Sequence, residues 1–308
     1  MTTSLHDQVR EQLAKELAVR SASTQPEQLV QALRYLAKWR SVIIQNTVLK
    51  HCGVLVQSGP FSGMTFLEQS SEGCHVAKLL GCYEEPLHPL IQHLVHQPYH
   101  TVLNIGCAEG FYAVGMARCM PKVRVHAFDT NPQAQRTCGE LARRNGCEDR
   151  IQIAGEFTRA DFERYKRLTP SRSAPIATNP AAGRTLLLCD IESAEFELLD
   201  PQEAPALYEI DILVESHECL KPGVTQALMK RFASSHQIQC IEDNGQRGAT
   251  RLPAWFSQLS HLDQLLAVWE WRSGPTPWLW MRALTNAHVL QHGSAVLAGL
   301  DPAWLDGV

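Results

Sequence analysis

Thr101-Val-Leu-Asn-Ile-Gly-Cys-Ala-Glu-Gly110, followed nineteen positions later by Asp129, decides how this chain of 308 residues is read. The apolar run Thr101–Ile105 predicts a buried strand, the small residues after it a tight loop, and Phe111–Ala117 a helix. Val123–Phe128 then predicts a second strand that ends in Asp129. A carboxylate in that place can accept hydrogen bonds from the two hydroxyls of a ribose. The bare loop lets backbone N–H groups come close to a cofactor. Together they outline the front half of a nucleoside-cofactor site. A glycine turn without any ligand is the plain alternative, and Asp129 argues against it. A dinucleotide fold would carry G-x-G-x-x-G. The spacing here is Asn104-x-Gly106-x-Ala108-x-Gly110, which disfavours a nicotinamide-dependent oxidoreductase.

The same residues resemble motif I of class I S-adenosylmethionine-dependent methyltransferases. That resemblance implies S-adenosyl-L-methionine as cofactor, with Asn104, Gly106, Cys107, Ala108, Glu109 and Gly110 beside its methionyl part and Asp129 on its ribose. Asn104 stands where the motif usually has an acid, and Ala108 where it has a glycine. Both changes are small, so altered methionyl contacts are expected rather than a lost site. Cys107 fits the loop by its size. Glu156, just past the strand Ile151–Ala154, is a further candidate near the adenine.

From residue 101 onward strands and helices alternate, the pattern of a doubly wound parallel sheet. Asn131-Pro132 starts a helix with Ala134, Cys138, Leu141 and Ala142 on one face, ended by Asn145-Gly146. Thr185–Cys189, Ile210–Val214, His236–Ile241 and Trp278–Met281 complete a seven-stranded α/β, Rossmann-like sheet. The Pro-, Ser- and Ala-rich stretch 168–183 reads as an exposed loop. Residues 1–98 are expected to form an N-terminal cap and 99–308 the cofactor-binding domain. Ser4-x-x-Asp7 and Thr24-x-x-Glu27 open two helices of that cap. Their stripes, Leu5, Val9, Leu13 and Leu17, then Leu29, Leu33, Leu36 and Ala37, could bury against the main domain or against a second subunit in a homodimer. Gly53–Phe66 reads as a hairpin, and Leu87, Leu90, Ile91, Leu94 and Val95 as one helix face leading into the first strand.

Ligands of open α/β sheets bind beyond the carboxyl ends of the strands, so the acids there are the ones to weigh. One strand ends in Asp190-Ile-Glu192-Ser-Ala-Glu195, another in Glu215-Ser-His217-Glu218. LLLCDIESAEFELL at 186–199 resembles the KIDVEGAE signature of the FkbM family of methyltransferases, and ILVESHE at 212–218 its following strand. GPFSGMTFLE at 59–68 and KLLGCYEEPL at 78–87 resemble a segment that precedes the domain in that family. Ser193 takes the place of the family's usual glycine. The resemblance spans roughly residues 59–218 and implies O-methylation of a sugar, glycan or secondary metabolite.

A hydroxyl acceptor must lose its proton during attack, and His217 is a suitable general base because imidazole titrates near working pH. Asp190 competes for that role, and a carboxylate can also support the sulfonium electrostatically. Glu192 and Glu215 complete the catalytic candidates, Glu215 as a group orienting His217. The plainer readings are a helix cap for Asp190 and Glu192, an ordinary strand-end histidine, and a solvated Glu215. No metal is assigned, although Asp190, Glu192 and Glu215 offer hard oxygens of the kind magnesium takes. Trp269-Glu-Trp-Arg272 and Trp278-Leu-Trp280 could wall an acceptor, with Arg272 facing an anion. Packing around the last strand, with Arg272 paired to Glu270, is favoured instead.

A formal net charge of −4 gives no bulk attraction to nucleic acid. No membrane span is visible, and the N-terminus lacks a signal-peptide pattern, so a cytoplasmic enzyme is expected. The ten cysteines form no C-x-x-C pair, which argues for reduced buried thiols rather than a zinc site. Two rivals to O-transfer stay open: methylation of nitrogen or carbon, and a cofactor-binding partner in a biosynthetic complex that performs no chemistry.

Overall fold

The computed structural model describes residues 4–18, 25–70, 73–166, 183–243, 245, 247 and 252–284. The expected loop at 168–183 therefore lies, apart from Gly183, outside the described residues, as does Thr24. Seven strands form one sheet: β1 Thr101–Ile105, β2 Arg124–Phe128, β3 Ile151–Ala154, β4 Thr185–Cys189, β5 Asp211–Glu215, β6 His236–Ile241 and β7 Trp278–Ala283. Their order is β3-β2-β1-β4-β5-β7-β6. All neighbours are parallel except β7, which runs antiparallel to both β5 and β6. The expected doubly wound α/β sheet is present. β1, β4 and β5 are buried along their whole length, as continuous apolar strands covered on both faces must be.

Helices follow the strands as the crossovers require. They are α5 Phe111–Cys119, α6 Pro132–Arg144, α7 Asp161–Lys166, α8 Glu195–Leu198 and α9 Val224–Phe232. Asn131 caps α6 by accepting from the Gln133 N–H, and the face Ala134, Cys138, Leu141 and Ala142 is buried as its spacing predicts. One core layer joins Leu103, Ile105, Leu187, Ile212, Val214, Leu279 and Met281 to Leu228 and Phe232 of α9.

The amino edge of the sheet is closed by polar groups. Asp211, fully buried, accepts from Tyr99 Oη at 2.9 Å, Arg184 Nη1 at 2.8 Å and the Ala283 N–H at 2.9 Å. His236, 2% exposed, donates from Nε2 to the Ile210 carbonyl at 3.0 Å, with Ser235 Oγ 2.9 Å from Nδ1. Burial, with Arg184 adding repulsion, lowers the His236 pKa to about 4.

The chain divides into two compact units, one within Pro89–Asn244 and Ser273–Val308 that holds the sheet, the other within Met1–His88 and Gly245–Arg272. The second unit contains α1 Leu5–Ala18, α2 Gln25–Cys52, α3 His75–Leu80 and α10 His261–Val268. α4, His88–Leu94, leads toward β1 with Ile91 and Leu94 buried. Ser4 caps α1 by accepting from the Asp7 N–H. The expected hairpin is present as a short antiparallel bridge, Leu55 opposite Thr65. Of the two apolar stripes, Val9 is buried, whereas Leu5, Leu17, Leu29, Leu33 and Leu36 are exposed.

Trp269 and Trp271, expected to pack around the last strand, have cationic partners within their own unit. They lie on the α2 side of their own unit, with the Arg34 guanidinium over Trp269 and the Lys38 ammonium over Trp271. Arg272 pairs with Glu270 at 3.1 Å, as expected, and also with Glu84 at 2.6 Å. Arg247 joins this buried network through Glu270. Among the described residues, no helix is long and apolar enough to cross a membrane.

Candidate active site

The carboxyl ends of β1, β2, β4 and β5 bring the singled-out residues to one edge of the sheet. After β1 the chain turns through Gly106 at φ +76°, Ala108 at φ +49° and Gly110 at φ +92°. Gly106 and Cys107 donate their N–H groups to the Phe128 carbonyl, which pins the loop to the end of β2. A Cβ on Gly106 would stand 1.6 Å from the Asp190 carbonyl oxygen, so only glycine lets the loop lie on the end of β4. Gly110 is similarly closed off by Cys138 of α6, 2.7 Å from an added Cβ. Ala108 holds a left-handed conformation with a side chain, a strained choice at the place where a glycine would relax.

Asp129 follows β2 and is half-buried. One of its oxygens accepts from the Ala108 N–H at 2.9 Å, the other from the Asn131 N–H at 2.8 Å. Each oxygen keeps a lone pair for a further donor. Asn104 is buried in β1, and its Oδ1 finds no donor among the described residues. Cys107 and Glu109 are buried, while Glu156 is exposed just past β3. A hydrogen bond with Cys138, and then burial, push the Cys107 thiol pKa far up.

Beside the loop, His217 is 4% exposed and surrounded by acids. Its Nδ1 lies 2.7 Å from Glu195 Oε1. Its Nε2 lies 3.5 Å from Asp190 Oδ1, 3.5 Å from Glu215 Oε2 and 3.6 Å from Glu192 Oε2. The carboxylate of Glu195 fixes Nδ1 as the protonated nitrogen and leaves the Nε2 lone pair toward the other three acids. Burial opposes a charged His217, but the Glu195 hydrogen bond and the charges of Glu215, Glu195 and Glu192 outweigh it and raise its pKa. Glu195 is held below the usual carboxylate range although burial pulls the other way, through His217 and backbone donors.

The turn between β4 and α8 explains that cradle. Glu192 at φ +53° and Ser193 at φ +83° are two successive left-handed residues. The turn aims the Ile191 and Ser193 N–H groups at Glu195 Oε1, each at 3.2 Å. α8 begins after Ala194, which offers no side-chain cap bond. Orientation of His217 Nδ1, expected of Glu215, falls to Glu195. Sequence reading quoted Glu195 without a role. Its signal was position: it shares a helix face with Leu198 and Leu199 at i+3 and i+4, so its carboxylate enters the core. Glu218, next to His217, instead accepts from Thr225 and Gly223 at the start of α9.

The strand order, its reversed β7 and the glycine loop define the class I methyltransferase fold. No protein-family model matches the chain. A 63-residue stretch is 38% identical to the ribosomal protein L11 methyltransferase of Methylococcus capsulatus, covering 20% of this chain and 21% of that protein. The chain thus matches about a fifth of that curated relative's length. Among solved structures, an O-methyltransferase from Bacillus cereus in complex with S-adenosylhomocysteine aligns with a TM-score of 0.41 at 9% identity, over 90% of this chain and 97% of its own. The O-methyltransferase TomG of Streptomyces achromogenes, involved in tomaymycin synthesis and solved with S-adenosylmethionine, aligns with a TM-score of 0.40 at 11% identity, over 66% and 81%.

Proposed function

We propose that the chain is an S-adenosylmethionine-dependent methyltransferase of FkbM-like type that methylates a hydroxyl on a sugar, glycan or secondary metabolite. One observation carries the reading: Gly106 of the loop lies against Asp190, and Asp190 faces His217, so the loop and the acid–histidine centre share one wall. The residues suit the cofactor. Asn104 Oδ1 is a buried acceptor in want of a donor such as an ammonium, and Asp129 has lone pairs left for ribose hydroxyls. Glu156 remains a candidate near the adenine.

When bound, the cofactor supplies an electrophilic methyl group on a cationic sulfur. The chain's part is to hold an acceptor oxygen in line with that methyl and to take its proton. His217 Nε2 is the acceptor for that proton, with Glu195 fixing the ring and stabilising the charge it gains. Asp190, Glu192 and Glu215 favour positive charge at the same place. Calorimetric titration of S-adenosylhomocysteine, with Asp129→Ala alongside, tests the reading. Saturable binding that the variant loses supports it, and absence of binding to folded wild-type protein removes it.

A further inference from the structure

Four carboxylates within 3.6 Å of one imidazole are more negative charge than a proton on that ring can balance. Two of the four, Glu195 and Glu215, are buried, and buried acids need a cation. Asp190, Glu195 and His217 each bring a ligand atom to within 4.8 Å of the others. Within that set Glu195 is fully buried, and its Oε2 has no hydrogen-bond partner among the described residues. Its Oε1 is already held by two backbone N–H groups and by His217. A buried oxygen left bare in this set is a vacant donor for a metal, since its desolvation is otherwise uncompensated.

We propose that Asp190, Glu195 and His217 bind one divalent transition cation at the carboxyl edge of β4 and β5. One imidazole and two carboxylates form a mixed nitrogen–oxygen set, suited to manganese or iron(II) more than to calcium or to a thiolate metal. No thiol belongs to the set, and the buried Cys189 has its thiol pKa raised by burial. The strained turn at Glu192 and Ser193 acquires a reason here, because it presents the Glu195 carboxylate in a fixed orientation. Asp190 is the most open of the three, with a side chain 33% exposed, and marks the route by which a cation and an acceptor oxygen can reach the centre. The binding of the cation does not depend on methyl transfer. Only its use, to acidify an acceptor hydroxyl as a Lewis acid in place of the bare imidazole, rests on the reading above.

The test is Mn2+ titration of chelator-treated full-length protein, following the electron paramagnetic resonance signal of free Mn2+. One equivalent is expected to bind, weakened at least tenfold in Asp190→Asn and Glu195→Gln and unchanged in Asp129→Ala. Asp190→Asn decides the matter if the buried Glu195 variant fails to fold. Absence of saturable Mn2+ binding to folded wild type, or equal binding by Asp190→Asn, overturns the proposal. S-adenosylhomocysteine titration of the same samples separates the two readings. Mn2+ bound without the nucleoside removes the methyltransferase and keeps the metal; the nucleoside bound without Mn2+ does the reverse.

Discussion

Acidification should loosen this protein from the amino edge of the sheet before it touches the site. His236 is neutral when buried, with a pKa lowered from 6.5 to about 4, while in the unfolded chain it titrates near 6.5. Between these values the unfolded state binds the extra proton, so stability falls as pH falls through that window. The loss is absent above about pH 7.5 and complete below about pH 4, and the gap corresponds to about 3 kcal/mol. By pH 5 about 2 kcal/mol of it should be gone, a large share of an ordinary domain's stability. Urea melts of wild type and His236→Gln at pH 7.5 and pH 5 measure this directly. The variant is expected to start less stable, having lost the bond to Ile210, but to lose about 2 kcal/mol less on acidification. Parallel pH dependence in the two proteins would refute the reasoning, since it would mean that His236 charges without penalty. Because β6 begins at the edge opposite the site, any acid limb in an activity profile must first be corrected for unfolding.

Gly106→Ala should cost about 3 kcal/mol, combining left-handed strain with displacement of the Asp190 backbone, and should abolish S-adenosylhomocysteine binding in calorimetry. Ala108→Gly should do the opposite to the fold, stabilising it by about 1 kcal/mol, seen as a melting temperature about 2–4 °C higher. Glu195→Gln should leave nucleoside affinity within twofold in calorimetry. In a methyl-transfer assay it should lower kcat about tenfold, the worth of about 1.5 kcal/mol for a charge-assisted bond made neutral.

The sheet was legible because its central strands are unbroken apolar runs closed by a loop, an acid or a helix cap. β3, β4 and β6 fall at the expected residues, and β1 continues into the glycine loop as read. What sequence could not show was adjacency. Nothing local says that Glu195, rather than Glu215, meets His217 Nδ1. That depends on two left-handed residues, Glu192 and Ser193, neither of which favours that conformation by type. The partners of the Trp269–Arg272 segment were hidden for a related reason. The segment is close in sequence to β7, yet its indoles face Arg34 and Lys38 of a helix more than two hundred residues earlier. Aromatic spacing reports that a segment will pack and is silent on what it packs against.

The return of residues 245–272 to the unit of residues 1–88 also orders events during synthesis. Arg34, Arg40 and Glu84 emerge from the ribosome early, but their partners Trp269, Asp263 and Glu270 are made only after the six strands β1–β6. At about 5–20 residues per second, the intervening chain takes roughly 10–45 s to appear. Throughout that interval α2 waits without α10, so Arg40 and Ser41 lack Asp263 and the Leu266 carbonyl. The part of the chain made first is thus the last to be finished, which makes the N-terminal unit the point at which expression of this protein at high temperature should fail and a chaperone should help.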